Sequence, residues 1–598
     1  MGINSVRKVL STLAVSSLLL AACGGNEEGS GKNAGTTPKG PAPKQVETSK
    51  FSTSLTNDKK AVDGGTFTYG LVSDTPFEGV LNRLFYEGAP DYEVIQFFDE
   101  SLLDADENYI YNQDGAATYK LSEDNKTITL KIRDNVNWHN GDPVTAEDLE
   151  YAYEVVGSKK YAGPRYDAQT QGIEGMTEYH DGKAKKISGI KVIDEKTISI
   201  TFKEANPSVL TGLMTSPLPK KYLAGIPIDK LDSSDQIRKK PIGFGPFKIK
   251  KMVPGESVEF ERNDDYYRGK PKLDKVILKV VNPSVVAASL EKGDIDFAEI
   301  TADQYESAEK LKNIEVIGKV GLAYTYIGFK LGHYDAEKGL NVMDNPKFAD
   351  KRVRQAFGYA IDNKTVGERF YKGLRFPANT VIPPSFPKYH DDKVKGFTYD
   401  PEKAKKLLDE AGFKDTDGDG LREDADGKKF KINFATMSGT DIAEPLAQYY
   451  IQAWKAVGLD VQLLDGRLVE FNSFYDMLEK DDPKVDIYQG AWGTGSDPDP
   501  SGIWDKTAPF NYNRWVNDEN DKLLKEGISP KAFDEKYRQD VYNKWQELIA
   551  DEAPSIPTLY RFEIFGANKR VKNYDLQGGA SEHWWDVSVT DDKPETSK

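Results

Sequence analysis

Apolar and polar positions divide the chain into three unlike stretches. Arg7 and Lys8 precede an apolar run (Val9, Leu10, Leu13, Val15, Leu18, Leu19, Leu20) that is shorter than a membrane span requires. Residues 24–60 carry Gly, Asn, Glu, Ser, Thr, Pro and Lys with almost no large apolar side chain. Such a stretch cannot bury enough surface to offset its ordering entropy, so 23–60 reads as a disordered tether. From Gly64-Gly65 the pattern becomes that of a folded body. Residues 66–72 form the first predicted strand, and alternation over 127–132 and 197–202 predicts two more with one apolar face each. Each of these two follows a polar turn, Asp124-Asn125-Lys126 and Asp194-Glu195-Lys196, which predicts hairpins. Thr145-Ala146-Glu147-Asp148 opens a helix: the Thr oxygen can accept from free backbone N–H groups, and the acids oppose the helix dipole. Tyr399-Asp400-Pro401-Glu402 opens another, ended at Gly412. Strands and helices interleave without a fixed repeat, which predicts mixed α/β domains rather than a solenoid or a barrel. At 598 residues the chain exceeds one ordinary core and calls for two or three.

The single cysteine changes this picture most. Cys23 ends the tetrad Leu20-Ala21-Ala22-Cys23 directly behind the apolar run. A charged start, a short apolar core and small residues at the cut read as a secretory signal over 1–22. The tetrad resembles the lipobox of bacterial lipoproteins, which implies a diacylglycerol and acyl chains, palmitate among them, on Cys23. Together they are enough for stable attachment. The tether would then lift the body by about 30–35 Å off the outer face of a cell membrane, as in a Gram-positive-type envelope. No cysteine remains for a disulfide or a thiolate metal site. Five histidines, far apart in sequence, supply zinc clusters and His-based catalytic centres poorly. A net charge of −16 argues against nucleic acid, which needs a basic stripe. Aromatics, at 11%, suffice for cores and for the walls of a cleft.

Several passages carry a family resemblance. Trp138-His139-Asn140-Gly141-Asp142-Pro143-Val144-Thr145-Ala146-Glu147-Asp148 is a strand, a tight turn and a capped helix start, with a structural role. Ile242-Gly243-Phe244-Gly245-Pro246-Phe247, Glu261-Arg262-Asn263-Asp264-Asp265-Tyr266-Tyr267 and Asp350-Lys351-Arg352-Val353-Arg354-Gln355-Ala356-Phe357 follow in order. From about 60 to 560 the chain resembles the family 5 extracellular solute-binding proteins, peptide-binding receptors of ABC importers. The resemblance implies an α/β, two-lobed periplasmic-binding-protein-like fold of type II with the extra domain of the peptide-binding class. It divides the chain into lobe I (61–104 with 223–330 and 554–598), an extra domain II (105–222) and lobe III (331–553). It implies a monomer that captures oligopeptides and passes them to membrane permease and ATPase subunits.

The segment expected to meet the ligand is Asp486-Ile487-Tyr488-Gln489-Gly490-Ala491-Trp492-Gly493 and the loop Thr494-Gly495-Ser496-Asp497-Pro498-Asp499-Pro500. Gly490 and Gly493 permit close backbone approach, Ala491 is small, Trp492 offers a flat wall, and a carboxylate can pair with an ammonium. Family members that grip short peptides place an aspartate three residues after the tryptophan. Here that position is Gly495, and the nearest acids are Asp497 and Asp499. Either they receive an ammonium or they cap the turn around Pro498 and Pro500. The departure implies longer peptides or variable registers. Val72, Ser73 and Asp74 form the opposite wall by resemblance, and Trp515 is an added aromatic candidate.

Asp415-Thr416-Asp417-Gly418-Asp419-Gly420-Leu421, with Asp426 at position twelve, has the spacing of a calcium loop. Oxygens from Asp415, Asp417, Asp419 and Asp426 and the carbonyl of Leu421 would hold a structural Ca2+; the other reading is a plain acidic turn. No cofactor is required. An exported hydrolase is disfavoured, because no Gly-x-Ser-x-Gly, His-Glu-x-x-His or phosphate-binding Gly-x-x-x-x-Gly-Lys-Ser/Thr motif occurs. A receptor of the same fold for a peptide signal, nickel chelate, haem or oligosaccharide is the alternative, and an adhesin or folding helper is a third class.

Overall fold

A computed structural model describes residues 45–106, 109–576 and 583–597. The expected signal segment, Cys23 and residues 23–44 of the tether lie outside the described residues. Strand β1 (Thr66–Val72) is buried at its five central positions. It lies parallel to two neighbours inside a sheet, where both faces are covered.

The chain then builds a separate four-stranded antiparallel sheet from β2 (Ala117–Leu121), β3 (Thr127–Ile132), β4 (Ile190–Asp194) and β5 (Thr197–Thr201), in the order β2-β3-β5-β4. The expected alternation is present: Ile128, Leu130, Ile132, Ile198 and Ile200 point inward and are fully buried. The hairpin turn at Asn125 uses a left-handed residue, φ 58°. Against this sheet packs the helix Ala146–Val156, closed at its start by a reciprocal capping box between Thr145 and Asp148. These elements share one hydrophobic core within 80–244.

Returning to the first sheet, the chain adds β6 (Phe247–Val253), β7 (Ser257–Arg262), β8 (Lys275–Val281) and β9 (Phe297–Glu299) in the order β9-β1-β8-β7-β6. Next comes β10 (Ile314–Phe329), 16 residues long. The small hairpin of β11 (His333–Asp335) and β12 (Leu340–Val342) follows, then β13 (Arg375–Pro377), β14 (Lys431–Thr436), β15 (Asp460–Leu463), β16 (Ile487–Gly493) and β17 (Ser555–Asn568). The helix Pro401–Glu410 starts at the Asp400 cap, and Gly412 beyond it is left-handed at φ 89°.

β10 and β17 pair antiparallel from Ile314–Asn568 to Gly328–Ser555. At one end β17 pairs with β9; at the other β10 pairs with β16. One 11-stranded sheet thus runs through both lobes, and these two strands are its crossing. β10 and β17 thus carry the sheet continuously from β9 on one side to β16 on the other. Between the pairs Val320–Phe562 and Tyr324–Tyr560 the register breaks, so Gly321, Leu322 and Ala323 face Arg561 alone. A bulge of this kind bends and twists its strand at the midpoint of the crossing.

One expectation needs correction. The tether assigned to 23–60 is docked from residue 45: the Val46 amide donates to the Lys372 carbonyl at 2.7 Å, and Phe51 packs on Tyr305 and Phe562. Two apolar side chains and a free strand edge offset an ordering cost that composition alone makes prohibitive.

Candidate ligand-binding cleft

Where β1 ends, Ser73 donates its amide to the Val281 carbonyl, and its hydroxyl accepts the Thr75 amide at 3.2 Å. Val72 and Ser73 are half-buried, while Asp74 is exposed. Asp74 reaches the other lobe: its carboxylate accepts the Ser438 hydroxyl at 3.1 Å, beyond the end of β14. Nearby, the Asn472 amide donates to the Pro76 carbonyl at 3.4 Å, and Gly88 lies against Phe471. The loop 73–88 of lobe I and the helix Phe471–Glu479 of lobe III therefore face each other across one line. The Glu87 and Glu479 carboxyl groups are neighbours across it, and burial, with Glu479 and Glu78 beside it, pushes Glu87 up to about 7.

β16 supplies the wall of lobe III. Asp486 anchors its start by accepting the Asn433 amide at 2.8 Å. The Tyr475 hydroxyl donates to the Ala491 carbonyl at 3.2 Å, and the Thr494 amide donates to the Leu322 carbonyl at 2.8 Å, tying the strand end to the β10 bulge. Trp492 is half-buried, stacked on Tyr512 at 5.3 Å with Phe510 edge-on at 5.4 Å. Tyr475 lies 6.2 Å from Tyr512 and 5.0 Å from Phe471. Gly490 is buried against Tyr326, and Gly493 is exposed. Trp492, expected from the sequence as a ligand wall, sits in an aromatic cluster whose other rings, Phe471, Tyr475, Phe510 and Tyr512, the sequence reading did not name. The available signal was the i, i+4 spacing of Phe471 and Tyr475 on one helix face.

The acidic loop does something else. Asp497 accepts the Thr211 hydroxyl at 2.5 Å and the Arg538 guanidinium at 3.3 Å, while Arg538 also donates to the Ser208 hydroxyl at 2.9 Å. The Ser496 hydroxyl donates to the Thr211 carbonyl at 3.1 Å. Asp497 thus joins lobe III to the extra domain, with its acceptor atoms already engaged. Asp499 accepts the amide and hydroxyl of Ser501, a turn cap, and burial next to Asp497 pushes it up to about 7. Trp515 is 2% exposed and packs edge-on to Trp504 at 6.4 Å. A ring enclosed in the lobe III core cannot present a face to a ligand, so it leaves the set of candidate contacts.

His139 is likewise structural: its Nδ1 accepts the Gly243 amide at 3.2 Å, its Nε2 meets the Gly245 carbonyl at 3.1 Å, and burial pushes it down to about 3. In the acidic loop, oxygens of Asp415, Asp417 and Asp419 lie within 4.8 Å of one another. The Lys429 ammonium lies 2.6 Å from Asp417, 2.6 Å from Asp419 and 2.8 Å from Glu423. Asp415 accepts the amides of Gly418 and Gly420, and the Leu421 amide donates to Asp419. Asp426 stands apart, facing Lys428 at 3.6 Å. Three carboxylates converge, and the buried Glu423 joins Asp417 and Asp419 around the Lys429 ammonium while also accepting the Thr416 amide and hydroxyl.

Two lobes joined by crossing strands, an extra domain in contact with both, and an aromatic wall at the lobe boundary define the class of two-lobed solute-binding proteins. The sequence profile of the bacterial extracellular solute-binding proteins, family 5, middle region, matches residues 112–514, and the chain belongs to that family. It is 33% identical over 605 residues to the oligopeptide-binding protein OppA of Lactococcus lactis subsp. cremoris (strain SK11), covering 98% of each chain. It is 28% identical over 579 residues to the oligopeptide-binding protein AppA of Bacillus subtilis (strain 168), covering 95% of each. The solved structure of lactococcal OppA, complexed with an endogenous peptide in the closed conformation, superposes with a TM-score of 0.85. That match covers 88% of this chain and 100% of the other. Among the described residues no helix is long and apolar enough to cross a membrane.

Proposed function

We propose that this chain captures extracellular oligopeptides in the interlobe cleft and delivers them to the permease and ATPase subunits of an ABC importer. The observation that carries the reading is likeness along nearly the whole chain to two oligopeptide-binding proteins, both of them solved with a peptide bound. The chemistry agrees: β16 ends in small residues that expose backbone, and extended peptides are held largely by main-chain hydrogen bonds while side chains find roomy or aromatic pockets. Its role is capture, not catalysis. Closure presents a new composite surface, which a transporter reads as the loaded state.

Val72, Ser73, Asp74, Gly490, Ala491, Trp492 and Gly493 form the proposed ligand walls, joined by Tyr475 and Tyr512. Because Asp497 is occupied by Thr211 and Arg538, no fixed clamp on the peptide amine is assigned to it. The body works as a monomer, held to the membrane through lipid on Cys23. Calorimetric titration with a peptide length series, each in free and N-acetylated form, tests this reading. Binding that survives acetylation is expected; failure of every peptide to bind would remove the reading.

A further inference from the structure

The segment just before β1 touches both lobes and the crossing between them. At its start the Gln45 side-chain amide donates to the Glu368 carbonyl at 3.1 Å and the Val46 amide donates to the Lys372 carbonyl at 2.7 Å, both in lobe III. A single 3-10 turn, Thr48–Lys50, follows. Lys50 then pairs with Glu309 of lobe I at 2.8 Å, and Phe51 lies 6.3 Å from Tyr305 and 6.0 Å from Phe562 on β17. The Ser52 carbonyl accepts the Gly318 amide at 2.9 Å, along the stretch of β10 that β16 leaves unpaired. Beyond it, Leu576 donates to the Thr53 carbonyl, Leu55 donates to the Tyr574 carbonyl, and Thr56 donates to the Glu315 carboxylate at 3.1 Å.

The two attachment points are five residues apart, a reach of at most about 17 Å when fully extended, and less with the 3-10 turn between them. Gln45 and Val46 are hydrogen-bonded to Glu368 and Lys372 beyond the crossing, while Val46 also packs with Phe51, Tyr305, Leu374 and Phe562 in one apolar cluster on the lobe I side. The bulge at Gly321–Leu322–Ala323 lies between the parts of β10 that belong to each lobe. A rotation about it would load the contacts that the segment makes at Glu368 and Lys372 on one side and at Glu309 and Tyr305 on the other. A direct ion pair, Lys372 to Glu306 at 3.1 Å, crosses the same boundary and is subject to the same motion. The described geometry satisfies every one of these contacts together with the Asp74–Ser438 contact that joins the lobes.

We infer that residues 45–57 form a hinge strap whose docking on lobe III is coupled to lobe closure, and that the docked strap stabilises the closed arrangement. The inference rests on the two-lobed receptor reading but not on the identity of the ligand. Residue 45 is the first described residue after the proposed lipid site at Cys23, so the chain from that anchor would enter the body at the strap.

The test uses the full chain with Cys23→Ser and spin labels on cysteines placed at two exposed lysines, Lys292→Cys in lobe I and Lys406→Cys in lobe III. Val46→Pro removes the donor to Lys372 along with the Val46 side chain and fixes φ there, and Phe51→Ala removes the ring packed on Tyr305 and Phe562. Interlobe distances are measured without ligand and with the peptides that co-purify, and amide exchange is followed over 45–52. Both variants are expected to lower the ratio of closed to open molecules, by about tenfold for Val46→Pro. Exchange over 45–52 is expected to slow on closure in the unsubstituted protein. Distance distributions that match the unsubstituted protein in both variants would overturn the strap. Should no peptide bind at all, the functional reading fails, while the ligand-free distributions still decide the strap.

Discussion

Asp497 accepts the Thr211 hydroxyl at 2.5 Å, joining the loop after Trp492 to the extra domain. The same carboxylate faces Arg538, which is 4% exposed, so removing it leaves a buried guanidinium with neutral partners (Ser208, Gly527, Tyr542) and Asp499 as the remaining nearby carboxyl. Asp497→Ala should cost about 2–4 kcal/mol of stability, read by urea unfolding. Peptide affinity should fall by one factor for free and N-acetylated peptides alike. A loss confined to free-amine peptides would return Asp497 to the ligand.

The two tryptophans should separate binding from folding. Trp492 stacks on Tyr512 at a half-buried surface, whereas Trp515 is enclosed by the lobe III core. Trp515→Ala is expected to cost about 3–5 kcal/mol of stability. Trp492→Ala should leave the melting midpoint within a few degrees and weaken peptide binding by about tenfold. Calorimetry paired with thermal melts checks both, and equal destabilisation by the two would contradict the assignment.

Glu100 gives a pH dependence with a definite sign. It is 6% exposed, and burial pushes it from 4.5 up to about 7 despite donation from the Tyr266 and Tyr267 hydroxyls. A carboxyl raised in the folded state favours folding while it is protonated. Its contribution is complete below about pH 4.5 and is lost as pH rises through 7, up to about 3 kcal/mol in all. His139, pushed down to about 3, acts in the opposite direction between 3 and 6.5. The difference between wild type and Glu100→Gln is therefore the clean quantity. Urea unfolding at pH 5 and pH 7.5 should show a smaller loss of stability on raising pH in the variant.

In the acidic loop, Lys429 stands where the converging carboxylates of Asp417 and Asp419 would hold a cation, and it holds Glu423 down to about 2. Calcium is expected to shift the melting midpoint of Lys429→Ala upward by several degrees and that of the wild type by less. A large shift in the wild type would show that Ca2+ displaces the ammonium. No shift in either would make the loop a plain acidic turn.

Features legible in the sequence were those set by neighbours along the chain. The Thr145–Asp148 capping box, the inward isoleucines of β3 and β5 and the left-handed Gly412 all follow from local patterns. The crossing of the lobes does not. It depends on pairing Ile314 with Asn568 and Gly328 with Ser555, partners more than two hundred residues apart. Asp497 was read for its charge, but its role depends on Thr211 and Arg538 arriving from other parts of the chain. Residues 45–60 looked too polar to order, because composition counts side chains and not the backbone hydrogen bonds that an unpaired edge of β10 can offer.

The central claim, peptide capture in the cleft, is tested most directly by native mass spectrometry of the protein purified gently from cells. A ladder of co-purified masses that fragment as peptides is predicted, and its spacing would give their length range. A single non-peptide mass, or protein that stays unliganded after incubation with a broad peptide mixture, would contradict the account.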